Sequence, residues 1–358
     1  PPPGFTGTLR DYQLEALAWF EFLRTFGFGG CLADDMGLGK TVMVLALLES
    51  RRTGMTDHRP SVAVVPRSLV FNWISEAGRF APNLRVLDYS GPDRAGKQIP
   101  DYDLVITTYG TLRRDAPLLA GHEFDYVILD EAQAIKNSQT ASSKAVRLLN
   151  GRHRLALSGT PVENHIGELW SLFEFLNPGL LGTSSAFRRA SLVQKREGNE
   201  DLALVSRALR PLILRRTKEQ VAPELPSRTE QTIYCELEEA QRIAYNYLRD
   251  SYRLSLLKRI ERNGIARSKM HVLEALLRLR QAASHLGLVD KRRTDAPSAK
   301  FDVLIPRLVE IVDEGHKALV FSQFTELLGL LRARLDEAKI TYEYLDGQTR
   351  DRAGRVER

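Results

Sequence analysis

Gly39-Lys40-Thr41 ends the run Gly30-Cys31-Leu32-Ala33-Asp34-Asp35-Met36-Gly37-Leu38-Gly39-Lys40-Thr41, in which a short apolar segment enters a turn and then a helix of residue 41 to about 50. Glycine lets backbone N–H groups curl round a phosphate, and a helix starting there aims its N-terminus at the negative charge. Lys40 would then reach the β- and γ-phosphates of a nucleotide, and the Thr41 hydroxyl would ligate Mg²⁺. One position departs from the phosphate-loop pattern: Asp34 stands five residues before Gly39, where glycine is the rule. Taken alone, a Gly-Lys-Thr turn after a strand is also an ordinary loop. The second cluster is Asp130-Glu131-Ala132-Gln133, directly after apolar residues 126–129. An aspartate there holds Mg²⁺, and the following glutamate orients and deprotonates a hydrolytic water. An Asp-Glu pair after a strand also caps helices. Paired with the upstream loop in one α/β pattern, it points to nucleoside triphosphate hydrolysis.

The elements that must position these residues alternate between helix and strand, which predicts a parallel sheet flanked by helices. Leu14, Leu17, Ala18 and Phe22 have helical spacing in an opening helix. Short apolar runs recur at 61–65, 104–106, 126–129 and 154–157, and each ends in a polar or turn element. Those endings are Pro66-Arg67-Ser68, Thr107-Thr108-Tyr109, Asp130-Glu131 and Ser158-Gly159-Thr160-Pro161. Ligands of doubly wound sheets sit at the carboxyl ends of strands, where these clusters fall. From about Gly182 the chain turns to long charged segments, with helical spacing over 236–257 and 272–283, then a loop over 291–300. A second α/β pattern follows: helix 301–314, strand 317–322, helix 325–338 and strand 342–345. Two strands cannot close a doubly wound sheet, so the expectation is an incomplete second domain and a parent chain running past Arg358.

With 358 residues, 43% of them hydrophobic and 27% charged, the chain is expected to be soluble and to hold about two domains. No apolar run has the length of a bilayer span. The two cysteines, Cys31 and Cys235, are far apart and read as small core residues in a reducing compartment. The net charge of +6 arises from 51 basic and 45 acidic residues, a mild excess. Basic residues gather between Lys258 and Arg293, which suits either phosphate-backbone contact or a solvated helix face. Trp73 and Trp170 lie in helical contexts and read as packing residues.

Several motifs occur in fixed order: Leu9-Arg10-Asp11-Tyr12-Gln13, the loop 32–41, Asp130-Glu131-Ala132-Gln133, Leu157-Ser158-Gly159-Thr160-Pro161, Glu163-Asn164, Glu168-Leu169-Trp170-Ser171-Leu172 and Leu214-Arg215-Arg216-Thr217-Lys218. Leu319-Val320-Phe321-Ser322-Gln323-Phe324 and Tyr344-Leu345-Asp346-Gly347 follow. This series resembles the ATPase core of the Swi/Snf family within helicase superfamily two, over nearly the whole chain. In that family the loop carries Asp34, so the missing glycine is a family mark. Gln133 replaces the histidine or related residue usual after Asp-Glu-x, and Leu286 follows His285 where proline is common. His285 itself reads as a packed structural histidine.

The resemblance implies an α/β fold: a RecA-like parallel-sheet P-loop lobe with helical protrusions and an incomplete second RecA-like lobe. It implies a first lobe over 1–225, a helical linker or second protrusion over 226–290, and the start of lobe two over 291–358. By the same resemblance Gln13 bonds the adenine edge with Arg10 assisting, and Asp35, Met36, Gly37, Leu38, Gly39, Lys40 and Thr41 hold ATP. Thr41 and Asp130 hold Mg²⁺; Lys40, Asp130 and Glu131 are catalytic; Ser158, Gly159 and Thr160 couple nucleotide state to DNA. DNA contacts map to Pro66, Arg67, Ser68, Thr107, Thr108, Tyr109, Ser322 and Gln323, and would be sequence-independent and salt-sensitive. The implied activity is ATP-dependent translocation on double-stranded DNA by a monomer, with DNA-bound proteins or RNA polymerase as possible objects and no membrane partner. A strand-separating helicase, an RNA polymerase-recycling translocase and a nucleotide-dependent scaffold are the alternatives. Location follows source: cytoplasmic and nucleoid-associated in a prokaryote, nuclear in a eukaryote. The family's γ-phosphate arginines belong to motifs not found before Arg358, so these residues are expected to bind ATP and DNA but turn over slowly.

Overall fold

The computed structural model describes residues 1–54, 57–91, 94, 98–159, 166–183, 207–224, 229–347 and 349. The chain divides into two compact units, Pro1–Ser227 and Arg228–Arg358. In the first, seven strands form one sheet: β1 (Gly30–Leu32), β2 (Ser61–Val65), β3 (Val86–Asp88), β4 (Leu104–Thr108), β5 (Glu123–Leu129), β6 (Asn150–Leu157) and β7 (Ile213–Leu214). Their order across the sheet is β3-β4-β2-β5-β6-β1-β7, and every pairing is parallel. Parallel neighbours require crossovers, and helices supply them: α1 (Asp11–Phe26) precedes β1, and α2 (Lys40–Gly54), α3 (Val70–Phe80), α4 (Tyr109–Ala120), α5 (Ala141–Arg147) and α6 (Ile166–Leu176) follow.

Side chains alternate across each strand and therefore feed two cores. Leu32, Ala63, Val65, Ile106 and Ile128 face one side with Phe20, Met43 and Trp73. Cys31, Val62, Val64, Val105 and Val127 face the other with Leu112, Leu119 and Phe175. Burial on both faces explains why these strands read as unbroken apolar runs. The opening helix forms, but its inward stripe is Tyr12, Gln13, Ala16, Phe20 and Leu23. Leu14, Ala18 and Phe22 point outward, because the stripe must face α2 and β1 rather than follow hydrophobicity alone.

The second unit holds α7 (Glu239–Ser284), α8 (Ala299–Asp313) and α9 (Thr325–Glu337). α7 is not one rod. At Gly264 the backbone is at φ 73°, ψ 164°, a conformation that only glycine adopts readily. Gln241 Nε2 donates to the Ala282 carbonyl at 3.0 Å, although a straight helix would hold these residues about 60 Å apart. The chain therefore reverses at Gly264 into a helical hairpin. Phe301, Leu308, Leu331 and Leu335 form a small core between α8 and α9. His285 is buried, accepts from the Gly287 N–H through Nδ1 at 2.9 Å, and packs its ring 5.5 Å from Phe301.

Two expectations are corrected here. Residues 317–322 and 342–345 form no strand, since neither finds a ladder partner among the described residues, and Leu319 and Phe321 stand exposed. Cys235 is half-exposed rather than core, because 229–238 carries no regular element to bury it; Cys31 is fully buried, which pushes its thiol up to about 12. Among the described residues no helix is long and apolar enough to cross a membrane.

Candidate nucleotide site and nucleic-acid interface

The carboxyl ends of β1, β6 and β5 lie side by side, and the loop 33–39, Ser158 and Asp130 leave the sheet there together. Pairing continues past the strands: Ala33 N–H donates to Leu214, Asp35 N–H to Arg216, Ser158 N–H to Leu32 and Asp130 N–H to Val64. The phosphate loop is thus stitched to β7 and its continuation before it turns into α2.

Within the loop, Gly39 has φ +80°, and a Cβ there would stand 2.8 Å from Gln13 Nε2. Only glycine fits both the conformation and the space. Gln13 is nearly buried; its Nε2 donates to the Leu38 carbonyl at 3.2 Å and its Oε1 accepts from the Arg10 N–H at 3.0 Å. Tyr12 donates its hydroxyl to the same Leu38 carbonyl at 3.0 Å. Gln13 therefore braces the loop. Arg10 is exposed and paired with Glu224.

The Lys40 ammonium donates to the carbonyls of Asp34 and Asp35 at 2.6 and 3.1 Å. Burial lowers its pKa, and the charges of Asp34, Asp130, Glu131 and Asp35 oppose that shift. Lys40 is thus within electrostatic reach of the Asp-Glu pair ninety residues downstream, in keeping with their positions after β1 and β5, the strands that flank β6.

Asp130 is held from three directions. Trp73, fully buried on α3, donates Nε1 to Oδ2 at 2.8 Å; the Glu131 N–H donates to Oδ1 at 2.9 Å; and the Tyr109 hydroxyl donates to the Asp130 carbonyl at 2.8 Å. Burial raises the Asp130 pKa, opposed by the Trp73 and Glu131 hydrogen bonds and by Lys40, while the Glu131 charge adds to the rise. Glu131 has a left-handed backbone, φ 49° and ψ 56°, a conformation that costs a non-glycine residue energy and is typical of functional turns. Gln133 donates Nε2 to Glu131 Oε2 at 2.6 Å, and its Oε1 lies 3.5 Å from the Ser158 hydroxyl. Gln133 therefore spans the space between Glu131 and the end of β6. Met36 lies against Gly159. Thr160, Pro161, Glu163 and Asn164 lie outside the described residues.

Asp34 does not face a phosphate. It is fully buried and bonded by Arg216 through Nη2 at 2.6 Å, Nε at 3.2 Å and the backbone N–H at 3.0 Å. The same guanidinium donates to the Tyr12 carbonyl and lies 5.3 Å from the Tyr12 ring centre. One arginine thus ties together α1, the loop and the segment after β7. Neither Arg216 nor Trp73 was marked as a site residue by the sequence. The signal for Arg216 was its place in the motif Leu214-Arg215-Arg216-Thr217-Lys218, to which no role was attached, and Trp73 was legible only as a packing residue.

At the ends of β2 and β4 a groove of about 220 Å³ is lined by Pro66, Arg67, Ser90, Thr108, Tyr109 and Arg114. Arg67 and Ser68 are exposed. The other hydroxyls expected on DNA are used internally: buried Thr107 donates to the Tyr89 carbonyl at 3.1 Å, and Thr108 caps α4 by accepting from the Thr111 N–H at 3.1 Å. Ser90 and Arg114 line the groove although the sequence did not single them out. Ser322 and Gln323 belong to the second unit, where the Ser322 hydroxyl accepts from the Phe324 N–H at 3.0 Å and Gln323 is exposed.

A parallel sheet carrying a glycine-turn lysine on one strand end and an Asp-Glu pair on another defines a RecA-like P-loop ATPase core. The model of the SNF2-related domain matches residues 12–288, and the chain belongs to that family. It is 34% identical over 350 residues to the putative ATP-dependent helicase/translocase YwqA of Bacillus subtilis, covering 94% of this chain and 37% of that protein. It is 33% identical to human SWI/SNF-related matrix-associated actin-dependent regulator of chromatin subfamily A member 1, covering 96% of this chain and 34% of that one. The chain therefore spans about a third of the length of these curated relatives. Among solved structures, the Sulfolobus solfataricus SWI2/SNF2 ATPase core in complex with dsDNA matches with a TM-score of 0.61 and 36% identity, over 94% of this chain and 71% of that one.

Proposed function

We propose that this chain is the nucleotide-binding core of an ATP-dependent translocase that tracks double-stranded DNA and hydrolyses ATP to ADP and phosphate. The observation that carries this is the convergence of Lys40 with Asp130 and Glu131 at the carboxyl ends of β1 and β5, the two strands that flank β6. The residues present fit ATP and Mg²⁺. The loop turns at Gly39 with φ +80°, a conformation that glycine supplies, and Lys40 is held by neutral carbonyls, which a phosphate oxygen readily displaces. Thr41 and Asp130 would hold Mg²⁺, which neutralises developing charge on the transferred phosphoryl group. In this reading Lys40 orients the β- and γ-phosphates, Asp130 is kept in place by Trp73 and Tyr109, and Glu131 aligns and deprotonates the attacking water. Gln133 holds the Glu131 carboxylate on the side of Ser158, so water activation and the coupling segment share one hydrogen-bonded residue.

Duplex DNA as the track is supported by the Pro66–Arg114 groove and by the DNA complex of the Sulfolobus core. Phosphate contact there would be sequence-independent and weaken steeply with salt. Among the described residues, Arg216 reaches the loop but is committed to Asp34 and Tyr12. We therefore also propose that residues 1–358 bind ATP and DNA while turning over slowly. The test compares ATP turnover by the protein with duplex DNA, single-stranded DNA and RNA, alongside a fluorescent unwinding assay. Slow turnover, raised little by nucleic acid and more by duplex than by single strands or RNA, is expected without strand separation, and strong stimulation would overturn the proposal of slow turnover. Preference for single strands or RNA, or separation of the strands, would overturn the proposal in favour of a helicase.

A further inference from the structure

Residues 214–218 run alongside the phosphate loop as though they were part of it. The Leu214 and Arg216 carbonyls accept from Ala33 and Asp35, and Arg216 clamps buried Asp34. One step further on, the Lys218 N–H donates to Asp35 Oδ2 at 3.1 Å. This fixes the Lys218 backbone against the loop, and its side chain runs on to Gly37. A Cβ placed on Gly37 would stand 3.4 Å from Lys218 Nζ and 3.5 Å from its Cε. Lys218 is exposed, and among the described residues its ammonium makes no ion pair. A mobile lysine on a bare surface would gain nothing from this placement. Here two residues of backbone bonding and a buried ion pair deliver the ammonium to a glycine of the turn.

We infer that Lys218 is a second phosphate-binding cation, reaching the outer, terminal phosphate of the nucleotide across Gly37 while Lys40 works from inside the loop. The inference rests on the ATP-binding reading above. A nucleoside triphosphate carries more negative charge than Lys40 and one Mg²⁺ neutralise, and the loop itself contributes the carboxylates of Asp34 and Asp35. Asp34 is neutralised by Arg216, and Asp35 is occupied by the Lys218 backbone, so the ammonium of Lys218 is left for the ligand. A charge-assisted contact of this kind discriminates a triphosphate from a diphosphate, because it exists only when the outer phosphate is present.

The experiment measures affinity for Mg²⁺–ADP and for a non-hydrolysable Mg²⁺–ATP analogue by calorimetry, using the wild-type chain, Lys218→Ala, Lys218→Arg and Lys40→Ala. Lys218→Ala is expected to weaken the triphosphate about tenfold and the diphosphate less than about threefold. Lys218→Arg keeps the charge and should restore most of the triphosphate affinity. The thermal midpoint of nucleotide-free Lys218→Ala should match wild type, since the side chain is exposed. Equal weakening of both nucleotides, or none in either, overturns the inference. Lys40→Ala separates the two levels: if it too leaves triphosphate binding intact, the nucleotide site is misassigned. If it abolishes binding while Lys218→Ala changes nothing, only the role of Lys218 fails.

Discussion

Asp34→Gly gives the loop the glycine that other phosphate loops carry at that position, and it is expected to destabilise the protein. Asp34 is fully buried, and the Arg216 side chain is 9% exposed. Removing the carboxylate leaves a guanidinium inside the fold with the Tyr12 carbonyl, the Tyr12 ring, the Met43 sulfur and, at 3.5 Å, the exposed carboxylate of Glu15. Breaking one partner of such a pair costs about 3–5 kcal/mol, because the desolvated charge that remains has lost its buried counter-charge. Glycine gives nothing back in conformation, since Asp34 is not among the residues with positive φ. For a unit the size of Pro1–Ser227, each kcal/mol moves the midpoint by about 2–4 °C, so a fall of about 6–20 °C is expected. Thermal unfolding followed by circular dichroism measures it. The double variant Asp34→Ala/Arg216→Met removes both charges and should recover most of the loss. A midpoint within about 2 °C of wild type for Asp34→Gly, or a double variant no better than the single, would refute the assignment of Asp34 to a structural ion pair.

Lys40→Ala should abolish ATP turnover by the protein while leaving the far-ultraviolet spectrum unchanged; retained turnover would refute the phosphate role. Gly264→Ala forces a side chain into a backbone conformation that costs about 1–3 kcal/mol, so hydrogen exchange across 239–284 should quicken. Unaltered protection would mean that the hairpin does not depend on that glycine. Asp103 is buried, which raises its carboxyl pKa, but the Arg85 and His58 hydrogen bonds outweigh that and hold it below the ordinary value. A depressed carboxylate stabilises the fold above its unfolded pKa and loses that contribution as pH falls through the folded one. Arg85→Ala should therefore lower stability at neutral pH and lose its effect in acid below about pH 4. An equal deficit at every pH would contradict this.

The strand ends were legible because parallel strands buried on both faces write themselves as apolar runs, and polar clusters mark where each leaves the sheet. That is why residues 40, 130 and 158 were placed before any geometry was known. Three kinds of information were not in the pattern. A strand exists only with a ladder partner, so 317–322 and 342–345, apolar as they are, form no strand among the described residues. Which side of a helix is buried depends on what it packs against, so α1 turns Gln13 inward and Phe22 outward. Long-range polar partners leave no periodic trace. The link from Arg216 to Asp34 joins residues 182 apart, and Trp73 reaches Asp130 across 57. For the same reason Thr107 and Tyr109 read as outward contacts, although their hydroxyls are consumed by Tyr89 and Asp130.

β1, the strand that launches the phosphate loop, lies between β6 and β7, and both are made after it. A growing chain therefore produces this strand first and houses it last. At about 5–20 residues per second, the 182 residues from Asp34 to Arg216 take about 10–35 s to emerge. Gly30–Leu32 has no neighbour until β6 emerges, and throughout that interval the Asp34 carboxylate lacks the Arg216 guanidinium. The phosphate loop is thus the keystone of the sheet's assembly, fully braced only when the segment carrying Arg216 and Lys218 drops in beside it.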